Sequence, residues 1–367
     1  MVDLPTYVEG FHNVDRLKKL RYNKFGKTDM VVSHIGLGGC SAGGEYGPVD
    51  EAVSVQTIVE AVRNGVNFLD TSPAYGCGRG EEVFAKALKQ IPRKAYYICT
   101  KVGRYKTTWY EKFDFSAEKT LESIDESLQR LGIDYVDLLL INDLEFAVDT
   151  QQIVKETLPA LNQIIKRGKA RYIGVSGYPL STLKRVVELT NVHVDVVLSH
   201  CRCTLLDTEL LNYVPFFQSK GVGIINSSVT AMRLLSSSGP PQWHPASSQL
   251  RNICCQAAKL SKSRGVELAG LAAQFSVMSP GVDIHILGCD NIEIFAEIFE
   301  LVTEPPSDER QKLMQEVQDL LKTVRVRNWE GGEISDYLNA LALSSRPSDA
   351  VRRYSGNFQI VHGQKSA

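Results

Sequence analysis

The sequence predicts an α/β protein folded as a (β/α)8 TIM barrel, with an N-terminal hairpin and extended loops at the C-terminal face of the strands. Three observations carry that prediction. Eight short apolar runs alternate with segments of helical periodicity along most of the 367 residues. Each run is apolar on both faces, as a parallel strand covered by helices must be. The runner-up, a doubly wound open sheet, would carry a glycine fingerprint after its first strand. Gly36-Leu37-Gly38-Gly39-Cys40-Ser41 lacks that spacing.

The elements follow in order. Val32–Gly36 reads as the first strand, and Val55, Ile58, Val59 and Val62 then recur at i, i+3, i+4 and i+7 of a helix. Asn67–Asp70 is the second strand, followed by a short helix over Glu81–Lys89, and Tyr96–Val102 is the third. Leu121, Ile124, Leu128 and Leu131 mark a helix closed by Gly132. Tyr135–Asn142 is the fourth strand, and Leu158, Leu161, Ile164 and Ile165 lie on a helix ending near Gly168. Tyr172–Ser176, Val194–Ser199, Gly223–Ser227 and His285–Gly288 complete the eight. Helices fall between them at Leu183–Val187, at Leu210–Lys220 and over a long stretch from Ser248 to Val277.

Three segments stand outside the alternation. Residues 1–30 are expected to form a polar arm (1–17) and a hairpin turning at Gly26-Lys27, and residues 18–330 to form the barrel proper. A long loop runs from Ser236 to Ser248. Residues 331–367 form a C-terminal tail, which from Ser344 is rich in Ser, Arg and Gly and is expected to be poorly ordered.

Composition narrows the function class. Charged residues are 23% and apolar residues 43%, the balance of a globular enzyme, and the formal net charge is −1. No global field favours nucleic acid or an anionic membrane, and no run reaches the length of a membrane span. The first twenty residues carry charges without an apolar core, so no secretory signal is expected. The eight cysteines make no C-x-x-C pair and no His pair sits at zinc spacing, so no metal site is predicted. Scattered thiols in a long chain point to a reduced, cytoplasmic protein.

The chemistry collects at the strand ends. Asp70 and Tyr75 follow the second strand and Lys101 ends the third, so a carboxylate, a phenol and an ammonium project from the same face. Asp70 can hold Lys101, and Lys101 is expected to depress the Tyr75 phenol from its usual pKa of about 10. That is equipment for protonating a carbonyl oxygen while a hydride reaches its carbon. The same rule brings Asn142, Ser176 and Ser199 to this face. Tyr46, Trp109 and Trp243 lie in loops at this end, where a substrate pocket needs aromatic walls.

At these residues the chain resembles the aldo-keto reductase family. Asp70-Thr71-Ser72-Pro73-Ala74-Tyr75-Gly76 is similar to its Asp-to-Tyr signature, and Thr100-Lys101-Val102 to its lysine motif. Gly174-Val175-Ser176-Gly177-Tyr178-Pro179-Leu180 and Gly239-Pro240-Pro241-Gln242-Trp243-His244-Pro245 resemble the family's L-galactose dehydrogenase group. The resemblance implies a cytosolic oxidoreductase using NAD or NADP on a sugar or small carbonyl compound. Tyr75 would be the general acid/base, tuned by Lys101 and Asp70. Ser176 would bond the nicotinamide carboxamide, Ser199 falls where many relatives keep a glutamine for the same ring, and Gly39 and Asp70 are further cofactor-binding candidates. Loops starting at Ser227-Ser228 and at Gly288 would hold the pyrophosphate and adenosine. No protein partner is indicated.

The chain departs from the family at three places. Asn142 stands where the family has histidine; its amide still donates a hydrogen bond but carries no charge. An asparagine there also resembles the potassium-channel β-subunits, so a weakly active cofactor-binding regulator is the alternative. Ser228-Val229-Thr230-Ala231-Met232-Arg233 replaces a glycine-containing loop. Asp290 stands where NADP-preferring relatives place a basic or hydroxyl residue, so it would repel a 2′-phosphate and favour NAD. The other reading of Asp290 is a helix cap.

Overall fold

A computed structural model describes residues 3–108 and 111–343. Eight parallel strands close into a barrel: β3 (Ile35–Gly38), β4 (Phe68–Asp70), β5 (Tyr97–Val102), β6 (Val136–Ile141), β7 (Ala170–Gly177), β8 (Val196–His200), β9 (Gly223–Ser227) and β10 (Ile284–Leu287). They pair in chain order, and β10 returns to β3 with His285 opposite Ile35. Before them, β1 (Tyr22–Lys24) and β2 (Val31–Ser33) make an antiparallel hairpin. The predicted barrel, its strand count and the hairpin are thus present.

The hairpin closes the N-terminal end of the barrel. Its fully buried Phe25, Met30 and Val32 join Phe68, Leu138, Leu140, Val196, Ile225 and Ile284 in one interior cluster. With that floor filled by side chains, the barrel opens only at the opposite face. A second, larger apolar layer lies between the strands and the surrounding helices, where Ile98, Leu139, Ile141, Val175 and Ile224 meet Ile124, Leu161 and Leu183.

Two elements differ from the sequence expectation, each for a local reason. The single strand expected over Val32–Gly36 breaks at His34 into β2 and β3. Ser33 donates through its hydroxyl to the Ile35 carbonyl, and the Asn67 side chain accepts the Ser33 N–H. Those bonds let the chain turn from the hairpin into the barrel. The stretch Ser248–Val277 is two helices, Ser248–Ser263 and Leu268–Val277, because Gly265 at φ 70° ends the first. By contrast, Ala117–Leu131 ends at Gly132 in the left-handed region, as its pattern requires.

Beyond the barrel, Gly332–Leu343 is a helix. Tyr337 sets its ring edge against Phe113 and Phe146 at 5.2 and 5.6 Å, so this part of the expected tail packs on the open face. The segment expected to be poorly ordered, from Ser344, lies outside the described residues.

Candidate active site

Asp70 ends β4, Lys101 lies near the end of β5, and Tyr75 sits on the turn that follows β4. That turn is seated by glycines. Gly76 adopts φ +62°, and a side chain there would collide with the Gly43 carbonyl. A Cβ on Gly43 would in turn meet the Tyr75 main chain at 2.8 Å, so the two loops touch only because both residues lack one.

The three groups meet as the spacing predicts. Lys101 Nζ donates to Asp70 Oδ1 at 2.6 Å, to the Thr71 carbonyl at 2.9 Å and to Tyr75 Oη at 3.2 Å. The phenol lies 3.4 Å from Asp70 Oδ2. Asp70 and Lys101 are each 2% exposed, so this is a buried ion pair with all three ammonium protons used. Burial works most strongly against the Lys101 charge, but the charge and hydrogen bond of Asp70, together with the nearby Cys99 and Cys40 thiols, outweigh it and hold the ammonium above its ordinary pKa.

The expected depression of Tyr75 is not found. Burial pushes the phenol well above its ordinary value, and the Asp70 carboxylate adds to the push. The Lys101 ammonium, 3.2 Å from the phenol oxygen, does not offset these two causes. Tyr75 is therefore fully protonated at neutral pH, in the form that donates a proton.

Asn142 follows β6 and is buried. Its Oδ1 accepts from Ser176 Oγ at 3.2 Å, and its amide nitrogen faces Ser72 Oγ at 3.5 Å. Those contacts orient the amide with its donor end toward the turn that carries Tyr75. Ser199, in register with Gly177 and Asn226, is fully buried, and its hydroxyl has no hydrogen-bond partner among the described residues. An orphaned hydroxyl at this depth is suited to a ligand.

A cavity of about 500 Å³ opens beside the triad. Asp70, Tyr75, Tyr46, Ser227, Ser228 and Gly288 line it, together with Asp290, Glu297 and Ile298. Gly39 packs its N–H on the Asp70 carbonyl, and it is Gly38 that lines the cavity. Trp243, 54% exposed, stands at the rim with its ring 6.0 Å from that of Tyr46. Trp109 lies outside the described residues.

The strand-end loops hold what the sequence concealed. Ala231, Met232 and Arg233 all adopt positive φ without being glycine, a strained run that places Arg233 across the cavity. Its guanidinium pairs with Asp290 at 2.5 Å and covers the Tyr46 ring at 4.8 Å. Asp290 is therefore a paired carboxylate rather than a free repulsive charge. It is not the helix cap either, because Asn291 caps Ile292–Thr303. Arg233 is a charge the sequence already offers on this loop, but no spacing links positions 233 and 290.

Comparison with known proteins agrees with this geometry. The Aldo/keto reductase family model matches residues 34–319. The chain is 41% identical over 320 residues to L-galactose dehydrogenase of Arabidopsis thaliana, covering 86% of this chain and 99% of that protein. It is 32% identical over 276 residues to D-arabinose 1-dehydrogenase of Saccharomyces cerevisiae, covering 71% and 80%. Among solved structures, the holo form of aldo-keto reductase AKR11C1 from Bacillus halodurans superposes with a TM-score of 0.65 at 24% identity, over 81% of this chain and 96% of that one. That last likeness concerns the fold. With its family match spanning the barrel and a relative at 41% identity over most of its length, the chain belongs to the aldo/keto reductase family and is an oxidoreductase.

Proposed function

We propose that the protein is a nicotinamide-dependent aldose dehydrogenase, oxidising a sugar at C1 to a lactone and reducing simple aldehydes in the reverse sense. The observation that carries this reading is Lys101 bridging Asp70 and Tyr75, both of which line the cavity. The similarity to L-galactose and D-arabinose dehydrogenases supports a sugar as substrate. The residues fit a dinucleotide: the cavity runs from the triad to Asp290, and Ser199 has a buried hydroxyl to offer. When bound, the nicotinamide accepts or supplies the hydride.

Tyr75 moves the proton. In reduction its phenol donates to the carbonyl oxygen; in oxidation its phenolate takes the C1 hydroxyl proton. Lys101 stabilises that phenolate, and Asp70 keeps Lys101 in place. Asn142 donates its amide N–H to the same oxygen. Ser176 would turn the Asn142 carbonyl away from substrate through its own hydroxyl and also reach the nicotinamide amide. An Asn142→His variant should reduce aldehydes roughly tenfold faster, because an imidazolium donor stabilises developing oxyanion charge better than an amide. An unchanged or lower rate contradicts this role for the position.

NAD is the favoured cofactor. Asp290, Glu267 and Glu297 line the cavity, and among them Arg233 pairs with Asp290. Glu267 is held by the Ser237 and Ala269 N–H groups at a helix start, so a 2′-phosphate there meets the uncompensated Glu297 carboxylate. NAD should bind at least tenfold more tightly than NADP in fluorescence titration, and equal or inverse affinities would overturn the assignment.

Eight unpaired cysteines support a cytoplasmic location. Among the described residues, no helix is long and apolar enough to cross a membrane. The regulator alternative is not favoured, because a cofactor sensor has no need of the intact triad. Nicotinamide absorbance with L-galactose, D-arabinose, methylglyoxal and benzaldehyde tests the whole reading: turnover of an aldose supports it, and turnover of aldehydes alone removes the sugar assignment.

A further inference from the structure

Beside Asn142 lies a group of polar side chains that the proton and hydride chemistry leaves unused. Asp143 follows directly, in the left-handed region at φ 52°, and is buried. Its Oδ2 accepts from Arg104 Nη1 at 2.6 Å. Glu145 accepts the Tyr178 N–H on Oε1 at 2.9 Å, while its buried Oε2 has no hydrogen-bond partner. His200, at the end of β8, lies over the Tyr178 ring at 5.5 Å. One ligand atom each from Asp143, Glu145 and His200 lies within 4.8 Å of the others, yet no hydrogen bond joins the three among the described residues.

A Cβ on Gly177 would lie 2.6 Å from Glu145 Oε2, so the bare backbone at that strand end makes room for the carboxyl. Burial, and then the Asp143 carboxylate, push the Glu145 pKa well above its usual range, so it carries its proton. Burial lowers that of His200, which is a neutral imidazole at neutral pH. Side by side therefore stand an ionised acceptor, a neutral acid, an imidazole able to donate or accept, and a guanidinium donor.

A divalent cation fits this set poorly. Arg104 already occupies one Asp143 oxygen, and the charges of Arg104, Arg202 and Lys101 all bear on His200. A neutral ligand whose groups each donate and accept fits well, and adjacent hydroxyls are such groups.

We propose that Arg104, Asp143, Glu145 and His200 form a subsite that binds the hydroxyl groups of the sugar beyond its reacting carbon. The inference rests on the aldose reading above and names the residues that would select a polyol over a plain aldehyde. Asn142 holds the reacting oxygen, and the next residue in the chain begins the subsite. The loop after β6 thus carries Asn142 and two of the four subsite residues, Asp143 and Glu145. Hydroxyl-to-side-chain bonds made here contribute to binding the whole sugar and nothing to binding an aldehyde that lacks them.

The test compares kcat/KM for the aldose turned over fastest in the panel above with kcat/KM for benzaldehyde, which has the carbonyl but no hydroxyl. Both are measured in the wild type, in His200→Phe and in Glu145→Met. Phenylalanine keeps a ring on Tyr178 and removes both ring nitrogens; the second variant guards against misfolding of the first. The ratio of aldose to benzaldehyde should fall at least tenfold in each variant, mainly through a higher KM for the aldose. A ratio unchanged in both, with the wild type oxidising aldoses, overturns the subsite while leaving the aldose reading intact. A wild type that reduces benzaldehyde but turns over no aldose overturns that reading, and the subsite with it.

Discussion

Tyr75→Phe is expected to lower turnover by about 10³-fold in both directions while leaving cofactor affinity within a small factor of wild type. The variant keeps the main chain and Cβ that pack on Gly43 and Gly80 and removes only the oxygen that lies 3.2 Å from Lys101 Nζ. Stopped-flow absorbance gives the rate, and fluorescence titration gives the affinity. The pH dependence has a definite sign. Because burial raises the phenol's pKa, the acid form persists through neutral pH, so aldehyde reduction should be flat from about pH 6 to 8. Oxidation needs the phenolate and should rise steadily as pH increases. Oxidation that is fastest in acid would contradict Tyr75 as the base.

The second large effect is on stability. Lys101→Met should destabilise the fold by roughly 3–5 kcal/mol, because it leaves the Asp70 carboxylate buried without its cation. Denaturant unfolding measures the loss. A double variant, Lys101→Met with Asp70→Asn, removes both charges and should recover a large part of that stability without recovering activity. If the double variant is no more stable than the single one, the pair is not the source of the loss. If the single variant loses less than 1 kcal/mol, the buried-pair account is wrong.

Much of this site was legible before any coordinates. The strand ends that carry Asp70, Lys101, Asn142, Ser176 and Ser199 were readable because parallel strands covered on both faces are continuously apolar, and such runs end where polar groups begin. Once the barrel is inferred, every strand end falls on one face, so the triad follows from order alone. What the sequence could not show depends on distances between loops. Arg233 and Asp290 are far apart in the chain, and only the strained turn at Ala231–Arg233 brings them together across the cavity. The Tyr75 phenol was read from its neighbours' charges, whereas its burial decides the direction of the shift. No sequence spacing singles out His200. Its relation to Asp143 and Glu145 exists only because β6 and β8 flank β7 in the closed barrel. The helix Gly332–Leu343 carries few sequence cues, since its anchor is the packing of Tyr337 on two distant phenylalanines.

The central claim is that Tyr75 moves the proton in a nicotinamide-dependent oxidation of an aldose. The most direct test is the absorbance change of NAD on mixing purified protein with L-galactose and D-arabinose, in wild type and Tyr75→Phe, from pH 6 to 9. The account predicts NAD reduction by at least one aldose, rising with pH and lost by about 10³-fold in the variant. Aldose oxidation that survives in Tyr75→Phe, or its absence from the wild type at every pH, would contradict it.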